Sequence, residues 1–282
     1  MRVLVTGAAG SIGTVVCSGL VDRGHSVSGL DRVPEPEGFT GEWFTADCAD
    51  PDAVEAAFTA LSRSGGPDAV VHLAGIPTEA SLPDELDSHV LTTATLLDAM
   101  VRHGVSRIVY ASSNHAVGRT PRSELLNVGT RPRPDTFYGV AKVAAEALLS
   151  LYVDRHGIDA VATRIGSFLA QPESRRGLAT WLSHDDAVRM FEAALTAPDP
   201  GFAVIYGVSA NTRGWWDLGP GRDLGYHPQD DAERFADAVL AGPGDPGRDE
   251  AEAAYVGGPF ATAAYVRAAL DTPDAGAAPD AP

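Results

Sequence analysis

Along the first 165 residues, short β-branched runs of strand length alternate with longer stretches whose apolar positions recur at helical spacing. The runs at 2–6, 25–30, 42–46, 68–73, 105–111 and 159–164 read as strands. The stretches at 11–23, from Pro51 onward, 82–103 and 136–156 read as helices. Pro51 falls in a first helical turn, where its missing N–H leaves no bond unmade. Strand and helix in strict alternation imply right-handed crossovers and a parallel sheet covered on both faces. The expected fold class is therefore α/β, a doubly wound parallel Rossmann sheet. Beyond residue 165 the alternation weakens to a helix at 183–197, a strand at 202–207 and a Trp-rich turn at 214–221, which suggests a small C-terminal lobe. The expected division is 1–165 for a dinucleotide-binding domain, 166–271 for a substrate lobe with chain crossings between the two, and 272–282 as a disordered tail of Ala, Pro, Asp and Gly.

The first loop carries chemistry. Gly7-Ala8-Ala9-Gly10-Ser11-Ile12-Gly13 lies between a predicted strand and a predicted helix. Glycines there permit a tight turn and let backbone N–H groups approach a pyrophosphate at the positive end of the helix. Asp31 closes the second strand, where an acid accepts hydrogen bonds from the adenosine ribose and repels a 2′-phosphate. NAD is thus preferred over NADP, although Arg32 next to it is the residue type a 2′-phosphate would meet.

Tyr138 and Lys142 are four apart on one face of the 136–156 helix. A phenol of pKa ~10 needs about 4 kcal/mol to become a base near neutrality, and one cation ~4 Å away at an effective dielectric of ~20 supplies that much. Lys142 is expected to draw the Tyr138 phenol down in this way. Ser112 and Ser113 follow the 105–111 strand, at the carboxyl end of a parallel sheet, where ligands of open α/β proteins bind. A serine there can hydrogen-bond the reacting oxygen beside the tyrosine.

Charge and cysteines narrow the partners. With 21 Lys and Arg against 38 Asp and Glu, the net charge of −17 repels nucleic acid and anionic membranes. No apolar run approaches the ~18 residues a membrane span needs. Cys17 and Cys48 read as isolated thiols, with no disulfide framework and no zinc spacing, and a cytoplasmic location is expected.

In order and spacing, these motifs resemble the extended short-chain dehydrogenase/reductase superfamily over nearly the whole chain. Ser112-Ser113-Asn114-His115, Arg164-Ile165-Gly166-Ser167, Trp181-Leu182-Ser183-His184-Asp185-Asp186 and Asn211-Thr212-Arg213-Gly214-Trp215-Trp216-Asp217 are similar to strings of uronate dehydrogenases. The resemblance implies a catalytic set of Ser113, Tyr138 and Lys142. It implies NAD contacts at Gly7, Gly10, Ser11, Ile12, Gly13, Asp31, Asp47, Leu73, Ala74, Gly75, Tyr138, Lys142 and Ile165. A sugar acid would be met by Ser113, Asn114, His115, Tyr138, Ser167 and Arg176, with Arg175 as the neighbouring candidate. A lone guanidinium in so acidic a chain suits a carboxylate.

The implied activity is oxidation of a hexuronic acid at C1, with a homo-oligomer expected. Two departures from the family pattern are Pro77, where a serine is usual in the substrate wall, and Ala141 before Lys142. A nucleotide-sugar epimerase or dehydratase would use the same trio, and a non-catalytic NAD sensor would keep only the cleft. Ser183 reads as a helix cap, and Trp215 and Trp216 as packing of the small lobe.

Overall fold

The computed structural model describes residues 1–122, 125–242 and 253–270. Its strands are β1 (Arg2–Thr6), β2 (Ser26–Asp31), β3 (Trp43–Thr45), β4 (Ala69–His72), β5 (Arg107–Ser113), β6 (Asp159–Ile165), β7 (Ser167–Phe168), β8 (Trp181–Leu182) and β9 (Phe202–Gly207). Seven of them form one sheet in the order β3-β2-β1-β4-β5-β6-β9, and every pairing is parallel. Strand order reverses between β1 and β4, which opens a crevice at their carboxyl ends.

Side chains alternate across the sheet and so divide the core. Val3 and Val5 of β1 pack with Val16 and Leu20 of α1 (Ser11–Asp22) and with Met190 and Phe191 of a helix spanning His184–Thr196. Leu4 faces the other way, toward Val54 and Phe58 of α2 (Pro51–Ser62) and toward Leu96, Leu97 and Met100. Each fully buried Leu or Phe contributes about 1.5–3 kcal/mol. Both faces are covered, as the alternation of elements requires.

Three departures from the sequence reading bear on the site. The 82–103 stretch is helical throughout but changes pitch. It begins as α3 (Leu82–Glu85), widens to a π-helical turn over Leu86–Leu91 and resumes as α4 (Thr92–His103). Such turns commonly mark functional sites. Strand β5 runs on through Ser113, because Ser112 and Ser113 pair in register with Arg164 and Ile165. The pair β7–β8 was not foreseen; two residues per strand are too few to give a periodic signal.

Beyond Ile165 the chain returns to the sheet. The strand at 202–207 is β9, at its edge, and the His184–Thr196 helix lies against α1, where a Cβ on Gly19 would come within 2.5 Å of Val188. Ser183 caps that helix by accepting the Asp186 N–H at 3.0 Å. Trp215 and Trp216 stack at 5.2 Å, and Trp216 packs with Tyr206 and Val208 in a small separate cluster. No described helix is long and apolar enough to cross a membrane. The tail from Thr272 lies outside the described residues.

Candidate active site

A cleft of about 510 Å³ opens at the β1/β4 reversal. Its floor is the β1–α1 loop. Gly7 has φ 67, a left-handed value that favours glycine, and a Cβ on it would meet the Ala74 N at 2.7 Å. A Cβ on Gly13 would fall 2.2 Å from the Gly7 carbonyl oxygen. Gly10 precedes α1 without a side-chain cap, and no acid occupies the first turn. The initial N–H groups of a twelve-residue helix thus face the cleft without competition from the chain's own carboxylates.

Ser11, Ile12, Leu73, Ala74 and Gly75 line the same cleft. Asp31 and Asp47 line it as well. One Asp31 oxygen accepts the Ala9 N–H at 2.9 Å, which fixes the carboxylate over the glycine turn. The cradle fits a dinucleotide: backbone donors at the helix start, a carboxylate for ribose hydroxyls, and no room for side chains at Gly7 and Gly13. Arg32, Cys48, Pro77 and Ser88 also line it. Cys48 is inert there, because burial pushes its thiol up to about 12.

Beyond the cleft lie the serines and the Tyr–Lys pair. Ser112 and Ser113 are neighbours with different partners. The Ser112 hydroxyl donates to Glu146 at 2.5 Å, inside a buried ion pair in which Arg164 donates to the same carboxylate at 2.8 and 3.0 Å. Ser113 points elsewhere, accepting the His115 N–H at 3.2 Å and lying close enough to the Tyr138 phenol to draw its pKa down. Of the two hydroxyls, only that of Ser113 meets the tyrosine.

Tyr138 lies in the first turn of α5 (Phe137–His156), whose start is capped twice. Thr136 accepts the Gly139 N–H at 2.9 Å, and the two oxygens of Glu79 accept the Phe137 and Tyr138 N–H groups at 3.0 Å each. Lys142, one turn on, reaches past the tyrosine. Its ammonium donates to the Ala111 carbonyl at 2.8 Å and lies 5.2 Å from the centre of the Tyr138 ring.

Burial governs the electrostatics of both groups. Burial pushes the Tyr138 phenol above its ordinary range; the Ser113 hydrogen bond draws it back, and the Glu85 and Asp135 carboxylates raise it further. Burial likewise brings Lys142 down to about 7, opposed by Glu85 and Glu146. Desolvation is the largest cause of both shifts, because both groups are withdrawn from water together.

Of the residues expected to meet a sugar acid, Asn114 is buried next to Ser113, within 3.3 Å of its hydroxyl. His115 holds Asp135 through Nδ1 at 2.9 Å, and its ring packs against Tyr138 and Phe260 at 5.9 and 4.5 Å. Ser167 meets the Thr180 hydroxyl at 2.9 Å, and Thr180 in turn donates to the Arg176 carbonyl. Arg176 is half-buried and donates to the Val256 carbonyl at 2.7 Å, whereas Arg175 is exposed and reaches Leu240 at 3.4 Å. Ile165 ends β6 in register with Ser113. Among the described residues, no group of three or more His, Cys, Asp or Glu is placed to hold a metal ion.

Several neighbours of this cluster carried no sequence signal. Glu79, Glu85, His89 and Asp135 look like ordinary polar positions in loops and on a helix. Phe260 stands more than a hundred residues from His115 in the chain. Only the tertiary fold brings them to the tyrosine.

The profile of the NAD dependent epimerase/dehydratase family matches residues 3–184. Uronate dehydrogenase of Pseudomonas putida is 38% identical over 266 residues, covering 93% of this chain and 96% of that protein. Among solved structures, uronate dehydrogenase from Agrobacterium tumefaciens superposes with a TM-score of 0.83 at 38% identity, covering 92% of this chain and 96% of that one. A mutant of that enzyme has been solved in complex with NAD. Glucuronic acid dehydrogenase from Chromohalobacter salexigens gives a TM-score of 0.85 at 36% identity, covering 94% and 97%.

Proposed function

This chain belongs to the NAD dependent epimerase/dehydratase family, and from that footing we propose that it is an NAD-dependent dehydrogenase that oxidises a hexuronic acid, glucuronate or galacturonate, at C1 to the aldarolactone. The observation that carries the reading is a likeness to uronate dehydrogenases extending over more than nine-tenths of the chain. NAD, held by the β1–α1 loop with its ribose at Asp31 and its adenine near Asp47, would supply the two-electron acceptor.

The chain's own residues do the rest. Tyr138 takes the C1 hydroxyl proton as general base, and Ser113 hydrogen-bonds the same oxygen to fix the hydroxyl on the phenol. Lys142 lies behind the phenol as a cation and reaches toward the nicotinamide ribose. Asn114, His115 and Ser167 take sugar hydroxyls, and the Arg176 fork meets the carboxylate with two parallel hydrogen bonds. Leu73, Ala74, Gly75 and Ile165 wall the cofactor side. Residues 1–165 carry the dinucleotide and part of the substrate side, and 166–271 add Ser167 and Arg176 to it, with β9 and the His184–Thr196 helix crossing back to the sheet. The enzyme works in the cytoplasm as a homo-oligomer, a setting that suits its NAD requirement and the two free thiols, Cys17 and Cys48.

The test is a panel of sugar acids, neutral sugars and nucleotide sugars, assayed with NAD and NADP by absorbance of the reduced nicotinamide. Glucuronate or galacturonate with NAD is expected to release NADH in proportion to substrate consumed. Silence of both sugars at millimolar concentration contradicts the substrate assignment. Purified protein carrying tight NAD, with a nucleotide sugar converted and no net NADH, would instead identify an epimerase.

A further inference from the structure

Lys142 is the only lysine in the sequence, and it is buried. A buried ammonium needs a counter-charge. Two carboxylates act on it, Glu85 and Glu146. Glu146 is already matched, since Arg164 donates to both of its oxygens at 3.0 and 2.8 Å and Ser112 adds a third hydrogen bond.

Glu85 is placed differently. Its side chain is fully buried at the end of α3, which packs against α5. One oxygen accepts the Ala80 N–H at 2.7 Å, and the other has no hydrogen-bond partner among the described residues. That second oxygen lies 3.3 Å from His89 Nε2. His89 supplies no charge. Its Nε2 faces the Ile76 carbonyl at 3.0 Å, which only accepts, so that nitrogen carries the proton. Burial holds the imidazole neutral, down to about 2. The His89 ring fills the place a Cβ on Gly75 would take, and it meets the Tyr138 ring edge-on at 5.2 Å. The π-helical turn therefore joins the cofactor wall, the tyrosine and the unmatched carboxylate.

We propose that Glu85 is a positioning residue of the reaction, the buried counter-charge that keeps Lys142 an ammonium beside Tyr138, with His89 as the wedge that holds this arrangement against the Gly75 wall. Its catalytic consequence rests on the Tyr138–Lys142 reading above; the coupling of the two charges does not. The other ionisable groups around the pair are Glu79 and Asp84 near Glu85, His72, Tyr110 and Glu146 near Lys142, and Asp135 near Tyr138. Burial raises Glu85 to about 7, against the Ala80 hydrogen bond, while Glu79 and Asp84 add to the rise and Lys142 opposes it. Buried groups that act on each other in this way titrate as a pair.

A single lysine makes the test direct. Protein grown with lysine carbon-13-labelled at the ε position gives one lysine side-chain NMR signal. In the wild type that signal is expected to shift in two steps with pH, one from Lys142 and one from Glu85. In Glu85→Gln the second step disappears, and Lys142 titrates about one pH unit lower, the order expected when one nearby charge is removed. The alkaline limb of the kcat profile moves down with it, while Glu85→Asp, which keeps the charge, titrates like the wild type. A one-step titration in the wild type overturns the proposal without need of any variant. A folded Glu85→Gln whose lysine titrates as before does the same, even if its kcat falls equally at every pH, the mark of a structural role. An intact coupling in a protein that fails to oxidise uronates would refute the function and leave this inference standing.

Discussion

Tyr138→Phe is expected to lower kcat for uronate oxidation about a thousandfold, within the range that a positioned proton-transfer group supplies, while NAD affinity changes little. The phenylalanine ring keeps the edge contact with His89 and the packing over Lys142, so the loss isolates the hydroxyl that Ser113 meets. Steady-state kinetics with the substrate at saturation, beside a cofactor-binding isotherm, separates the two effects. A variant that keeps most of its kcat would place the proton acceptor elsewhere. A cell that behaves normally with this variant in place of the wild type would revive the reading as a non-catalytic sensor.

Gly13→Ala carries the second large effect, on binding instead of chemistry. Its methyl would fall 2.2 Å from the Gly7 oxygen and 2.8 Å from Ala8, so the loop must move to admit it. Overpacking of this kind costs ~1–3 kcal/mol, and each 1.4 kcal/mol is about tenfold in affinity. NAD binding is therefore expected to weaken about ten- to a hundredfold by calorimetry, with kcat at saturating NAD much less affected. Gly10→Ala is the control, because its methyl meets the same oxygen only at 3.2 Å; its loss should be clearly smaller. Equal losses at the two positions would mean that the close approach at Gly13 is not what shapes the cradle.

The parallel sheet was legible in the chain because its signal is local. Strands such as Arg2–Thr6 are short apolar runs, and helices such as Pro51–Ser62 repeat at helical spacing. The order of glycine loop, strand-end serines and Tyr-x-x-x-Lys placed the candidate site by the same logic, since each motif occupies one turn or one helix face. What stayed hidden depends on distant pairing. Ser112 and Ser113 are indistinguishable as neighbours in sequence; they separate only when Arg164 and Glu146 claim the first of them. The π turn at Leu86–Leu91 leaves no mark on a helical pattern, yet it carries His89 to the tyrosine. The rise of the Tyr138 phenol was also beyond the motif: a four-residue spacing reports that a cation is near, but not that both groups leave water together.

In the proposed reaction the C–H bond broken lies at C1 of a hexuronic acid, and the C1 hydroxyl proton passes to Tyr138. Glucuronate deuterated at C1, incubated with NAD and the purified enzyme, tests it most directly. Turnover is expected to be slower than with unlabelled sugar, the aldarolactone product to carry no deuterium, and the label to be recovered in the reduced dinucleotide. Unlabelled NADH, or deuterium retained in the sugar product, would contradict it.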